Sequence, residues 1–157
     1  MKKKTLTIPY EEYTSIVELA ADDRALLEAA IDAVKGSYAP YSHFNVGAAV
    51  RLANGTVVKG ANQENAAYPS GLCAERTAMF AASAQHPGVP FESLAVVCSR
   101  DGVLMPNPGS PCGACRQVMA QYEREAKRPL RILLGSGGPV LAFTGVESLM
   151  PLIFNDL

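Results

Sequence analysis

Apolar residues Leu26, Leu27, Ala30, Ile31 and Val34 fall on one face at helical spacing. They predict a helix capped by Asp22 or Asp23, running to about Lys35 and ended by Gly36. Residues 38–42 contain Pro40 and read as a loop. The pattern then changes. Residues 46–52 and 56–61 read as two strands, and Ala53-Asn54-Gly55 between them carries the Asn-Gly hairpin signal. Pro69, Ser70 and Gly71 break the chain before a mostly apolar helix at about 74–84, which His86-Pro87-Gly88 stops. Residues 93–99 form a third strand, rich in Leu and Val. The loop 106–111, rich in Pro and Gly, leads into a second helix reaching about Glu125. Residues 131–134 and 140–144 are two more strands, and 146–150 predict a short last helix ended by Pro151.

Only residues 135–139 separate the last two strands. That is too short for a parallel crossover, so they pair antiparallel. The order predicts a three-layer α/β/α sandwich around a mixed five-stranded sheet. Residues 21–157 read as a single domain, and 1–20 as an extension without assigned structure. In that extension Leu6 and Ile8 alternate with polar neighbours, which permits a short strand that Pro9 would confine to an edge.

Composition narrows the function. The chain has 157 residues, 48% hydrophobic and 18% charged, with a net charge of −1. No basic stripe argues for nucleic acid, and no apolar stretch is long enough to span a membrane. Lys2, Lys3 and Lys4 lead into polar sequence rather than an apolar signal core. Four cysteines without a secretion signal argue against a disulfide scaffold and for a reducing, cytoplasmic setting. Cys98, in a short apolar run, reads as a small buried hydrophobe.

The other three cysteines carry the chemistry. Cys73-Ala74-Glu75-Arg76 and Pro111-Cys112-Gly113-Ala114-Cys115 each fall at a predicted helix start. Helix N-termini offer unpaired N–H groups and partial positive charge, which favour thiolates. Three thiolates fill three corners of a tetrahedral zinc and leave the fourth for water. Glu75 is close enough to move protons to and from that water. Three thiolates exceed zinc's charge by one unit. Arg76, inside the motif, is the better candidate to compensate, and Arg116 is the second. A structural zinc with Cys98, His43 or His86 as fourth ligand is the rival reading, and there Glu75 has no task.

A Cys or His ligand, a Glu that binds no metal, and a downstream Pro-Cys-x-x-Cys form the zinc deaminase arrangement. Together with Tyr41-Ser42-His43-Phe44, Val46-Gly47-Ala48-Ala49, Gly60, Asn62-Gln63-Glu64-Asn65-Ala66, Tyr68-Pro69 and Ser110 to Val118, the chain resembles the small, homotetrameric cytidine deaminases from about residue 20 onward. The resemblance implies that fold, one zinc per chain on Cys73, Cys112 and Cys115, and Glu75 as the proton shuttle. It implies that Asn62 and Glu64 bind the ribose hydroxyl, that Phe44 packs on the pyrimidine, and that the backbone of Ala74 contacts the base. Ala66 and Tyr68 would reach a neighbouring subunit's site, and Phe154 would cover it. The implied reaction is hydrolytic deamination of cytidine and deoxycytidine in pyrimidine salvage, in a homotetramer with shared sites. A deaminase of another free cytosine compound, such as a blasticidin-type antibiotic, and a non-catalytic zinc module are the alternatives.

Overall fold

The protein is described by a computed structural model covering residues 1–154. Three α-helices and seven strands are present among them: β1 Glu11–Tyr13, α1 Ala21–Ala33, β2 Phe44–Leu52, β3 Val57–Ala61, α2 Ala74–Gln85, β4 Phe91–Arg100, β5 Val103–Leu104, α3 Gly113–Ala126, β6 Arg131–Gly135 and β7 Val140–Thr144. The strands form one 7-stranded mixed sheet in the order β1-β7-β6-β4-β2-β3, with β5 paired to β4. Strands β4 and β6 run parallel, joined across α3, and β6 and β7 pair antiparallel as their short connection requires.

The sheet is therefore larger than the expected five strands. Strand β1 lies at Glu11–Tyr13 on the edge of β7, rather than around Leu6 and Ile8, both of which are exposed. Glu-Glu-Tyr has no apolar alternation to announce it. Its place comes from partners far along the chain: Arg131 Nη2 donates to Glu11 Oε2 at 2.6 Å, and Tyr10 packs on Phe143 with ring centroids 5.7 Å apart. Strand β5 follows a tight turn in which Asp101 (φ 51°) and Gly102 (φ 80°) are both left-handed. That is the two-residue Asp-Gly hairpin geometry, so this strand did leave a sequence signal. At the 53–55 turn only Gly55 is left-handed, and Gly55 N–H bonds Leu52 O at 2.9 Å. The hairpin is thus a type I turn with a glycine bulge.

Helix α1 covers one face of the sheet, burying Leu26, Leu27 and Ala30 against Ala49, Ala95, Val97 and Leu133. Its N-cap is Ala20, without a side-chain cap; Asp22 and Asp23 lie inside the first turn instead, where they face the positive end of the helix. Helices α2 and α3 cover the other face, with Ala78, Met79, Met119 and Ala120 in a core that includes Val50, Leu94, Ile132 and Leu134. The final short helix is a single 3-10 turn, Val146–Ser148. Gly60 lets α2 lie directly on β3. A Cβ there would stand 2.4 Å from the Ala78 nitrogen and 2.8 Å from the Ala74 carbonyl oxygen. This close approach sets where the N-terminus of α2 sits.

Candidate active site

Cys73 is the N-cap of α2 and Cys112 the N-cap of α3, and Cys115 lies in the first turn of α3, fully buried. The Sγ atoms of Cys73 and Cys112 are 3.8 Å apart, and those of Cys112 and Cys115 are 3.5 Å apart. All three Sγ atoms lie within 4.8 Å of one another. Tetrahedral thiolates at about 2.3 Å from zinc stand about 3.8 Å from each other, so the donor set fits that ion. All four cysteines are free thiols.

No fourth Cys, His, Asp or Glu joins the cluster among the described residues. Cys98, His43 and His86 therefore do not complete a closed structural site. Cys98 is buried on β4, and burial, reinforced by the charge of Glu75, pushes its thiol up to about 11. It is more than a packing residue, however: it lines the same cavity as Glu75. Its sulfur lies under Gly109, where a Cβ would approach to 2.5 Å.

Glu75, in the first turn of α2, is only 4% exposed. Burial raises its carboxyl above the usual carboxylate range, and the Cys73 thiolate adds to the effect. The Cys73 thiol is lowered, first by hydrogen bonding with Cys115 and then by Arg76, whose Nη2 lies 3.7 Å from the Cys73 sulfur. Cys115 is correspondingly raised, chiefly by the same bond to Cys73. Arg76 thus sits where the excess thiolate charge needs a cation. Arg116 takes a different course. Its Nε–H donates to the Pro111 carbonyl at 2.8 Å and Nη1–H donates to the Leu149 carbonyl.

A cavity of about 290 Å³ opens beside the cluster, lined by Phe44, Asn62, Glu64, Cys73, Ala74, Glu75 and Cys112 among others. A wider hollow of about 580 Å³ adjoins it and shares Ser42, Asn62, Glu64 and Cys73, adding Tyr41, Tyr68 and Arg76. The structure thus gathers Phe44, Asn62, Glu64 and Ala74 around the thiols. Tyr68 stands at the outer hollow, 76% exposed, with its ring 6.0 Å from that of Tyr41. Ala66 is exposed and lines neither cavity, and nor does Phe154, which is 66% exposed.

Asn62 also has a structural task that its motif does not reveal. Its Oδ1 accepts from the Val46 N–H at 2.8 Å and the Ser37 hydroxyl at 2.5 Å, while Nδ2 donates to the Phe44 carbonyl at 2.9 Å. It ties the start of β2, and so Phe44, to the segment after β3. The Glu64 carboxylate accepts from the Tyr41 N–H at 2.9 Å and the Ser42 N–H at 3.3 Å. The Ser42 hydroxyl, first, and these backbone donors lower its pKa. It is held ionised at the mouth of the cavity.

Residues 20–128 match the family model described as the cytidine and deoxycytidylate deaminase zinc-binding region. The chain is 46% identical over 100 residues to a cytidine deaminase of Halalkalibacterium halodurans, covering 64% of this chain and 71% of that one. It is 51% identical over 87 residues to that of Sporosarcina psychrophila, covering 55% of this chain and 59% of that one. Among solved structures, the cytidine deaminase of Burkholderia pseudomallei superposes with a TM-score of 0.69 at 42% identity, covering 83% of this chain and 97% of that one. That of Mycobacterium tuberculosis gives 0.68 at 32% identity, covering 87% and 100%. Zinc is the metal of the matched region, and the cluster of Cys73, Cys112 and Cys115 lies within it, able to hold that ion. Sequence, fold and the three-thiol site with its buried glutamate converge, and the chain belongs to the zinc-binding cytidine and deoxycytidylate deaminase family.

Proposed function

We propose that this protein hydrolyses cytidine and deoxycytidine to uridine and deoxyuridine with release of ammonia. The observation that carries the reading is the open three-thiol cluster with buried Glu75 beside it, on a cavity that Asn62 and Glu64 also line. Cys73, Cys112 and Cys115 would hold the zinc, which would supply Lewis acidity for activating water at neutral pH. Glu75 would receive a proton from the attacking water and deliver it to N3 of the base as the water oxygen bonds to C4. It then takes the proton of the new C4 hydroxyl and passes it to the exocyclic nitrogen, which leaves as ammonia as the C4 carbonyl forms and the C4–N bond breaks. A carboxyl whose pKa burial raises can act as base and then as acid. Phe44 presents an apolar face to the pyrimidine, and the first backbone unit of α2, at Ala74, meets the base edge. Glu64 accepts from a ribose hydroxyl, and Asn62 holds the wall against which the sugar rests. Arg76 offsets the negative charge of the thiolates.

The same reading makes the protein a homotetramer with shared sites. Its support is the exposure of large rings: Tyr41 at 50% and Tyr68 at 76% on the outer hollow, and Phe154, which lines neither cavity, at 66%. Ala66 and Tyr68 would meet a neighbour's site, and Phe154 would cover it. No helix of the described residues is long and apolar enough to cross a membrane. Reliance on three reduced thiols supports a cytoplasmic location.

An ultraviolet assay of the zinc-loaded protein on cytidine, deoxycytidine, cytosine and the monophosphates tests the reaction. Both nucleosides should turn over and cytosine should be a poor substrate. Loss of neither nucleoside, or cytosine turned over as well as cytidine, overturns the assignment. Light scattering tests the assembly, and a monomer refutes the shared site alone.

A further inference from the structure

We propose that Arg116 is a positioning residue that couples the zinc site to the C-terminal segment, reading through Cys112 as a zinc ligand. One guanidinium spans two backbone carbonyls from distant parts of the chain. Nε–H donates to Pro111 O at 2.8 Å, and Nη1–H donates to Leu149 O at 2.5 Å. The Pro111 carbonyl belongs to the peptide unit whose nitrogen is that of Cys112. Holding this oxygen therefore orients the backbone from which the Cys112 thiolate extends. The guanidinium is planar and its donors are fixed relative to one another. A shift of either carbonyl is passed to the other rather than absorbed by side-chain rotation.

The neighbouring residue extends the arrangement. Gln117 Nε2 donates to the Phe154 carbonyl at 2.8 Å. At the other end of α3, Glu123 Oε2 accepts from the Val146 N–H at 2.9 Å, where the segment begins. Leu149, Met150 and Ile153 pack partly buried against the same core as α3. The segment thus lies along the helix that carries Cys115, and Arg116 is its direct link to the backbone of Cys112. Bound zinc fixes Cys112, Cys112 fixes the Pro111 carbonyl, and Arg116 then holds Leu149 in register. Gln117 holds Phe154 without touching the metal segment.

Hydrogen exchange of residues 149–153, read by mass spectrometry with zinc bound and after stripping by a chelator, tests the coupling. Exchange of β4 amides serves as the gauge of global opening. In the native protein stripping should speed exchange of 149–153 roughly tenfold, well beyond any change in β4. In Arg116→Ala the segment should exchange fast with zinc still bound, and stripping should add nothing. Zinc release to a coloured chelator should quicken roughly ten- to a hundredfold, as for loss of outer partners of metal ligands. Gln117→Ala should release zinc at the native rate. Arg116→Lys keeps the charge but cannot span both carbonyls, so it should behave like the alanine variant; it also serves if that variant does not fold. Native zinc retention and segment protection in Arg116→Lys, or native 149–153 exchange indifferent to zinc, overturns the coupling. Elemental analysis separately reads whether zinc binds at all, which tests the ligand assignment on which the coupling rests.

Discussion

Replacing Gly60 by Ala should damage the zinc site although Gly60 touches neither metal nor substrate. The new Cβ would lie 2.4 Å from the Ala78 nitrogen and 2.8 Å from the Ala74 carbonyl oxygen, whereas ordinary contact begins at 3.4 Å. The three nearest atoms it meets are all backbone of α2, so relief cannot come from a side chain swinging aside. Relief requires α2 to lift from β3 by about 1 Å, where metal–ligand distances tolerate about 0.2 Å. Cys73 and Glu75 ride on that helix end, while Cys112 and Cys115 ride on α3. The displacement therefore separates one thiolate from the other two. Overpacking of this kind costs about 1–3 kcal/mol, or a fall in Tm of roughly 2–12 °C for a domain of this size. Chelator competition should show zinc affinity falling at least about tenfold. Gly113, inside the cysteine motif, is the control: a Cβ there meets nothing within 4 Å. Gly113→Ala should keep native zinc affinity and Tm, or gain slightly by helix propensity. Native zinc affinity and Tm in Gly60→Ala would refute the argument that this contact sets the metal geometry.

Glu75→Gln should keep zinc and fold while losing about a hundredfold to ten-thousandfold in turnover, since an amide moves no protons; near-native turnover contradicts the shuttle. Asn62→Ala should lower both nucleoside turnover and Tm, because Asn62 also binds Val46, Ser37 and Phe44. Glu64→Ala should lower turnover with little change in Tm; equal Tm losses in the two variants would contradict this division. The Arg131 hydrogen bond, with help from Tyr13, lowers the Glu11 pKa from 4.5. A depressed carboxyl stabilises above its unfolded pKa and loses that contribution as pH falls through the folded value. Docking of β1 should therefore be full at neutral pH and weaken below about pH 4. Hydrogen exchange at residues 11–13 that does not change between pH 6 and pH 3, after correction for intrinsic rate, would exclude that latch.

The chemistry was legible in the chain because the donors are specified by residue type and local spacing. Cys112 and Cys115 are one helical turn apart, Glu75 is two residues from Cys73, and each segment starts a helix that Pro or Gly announces. Local patterning likewise determined α1, the β2–β3 hairpin and the antiparallel pairing of β6 with β7. A short-range signal also existed for β5 in Asp101-Gly102, though its strand is only two residues long. What tertiary structure decided was every relation between segments distant in sequence. Strand β1 exists because Arg131 and the β7 edge are there to receive it. Asn62 proved to be a structural tie as well as a cavity wall, since its partners Ser37, Phe44 and Val46 come together only in the sheet. Cys98 became part of the cavity instead of a fourth ligand because β4 places it beside Glu75, outside the thiol cluster. Arg116 follows a ligand in sequence and invites a charge role, yet the carbonyls of Pro111 and Leu149 claim its guanidinium. Periodicity and spacing specify which face a residue takes and which atoms it can offer. Partners are fixed only when packing brings distant backbone within hydrogen-bonding reach, and that information is not local.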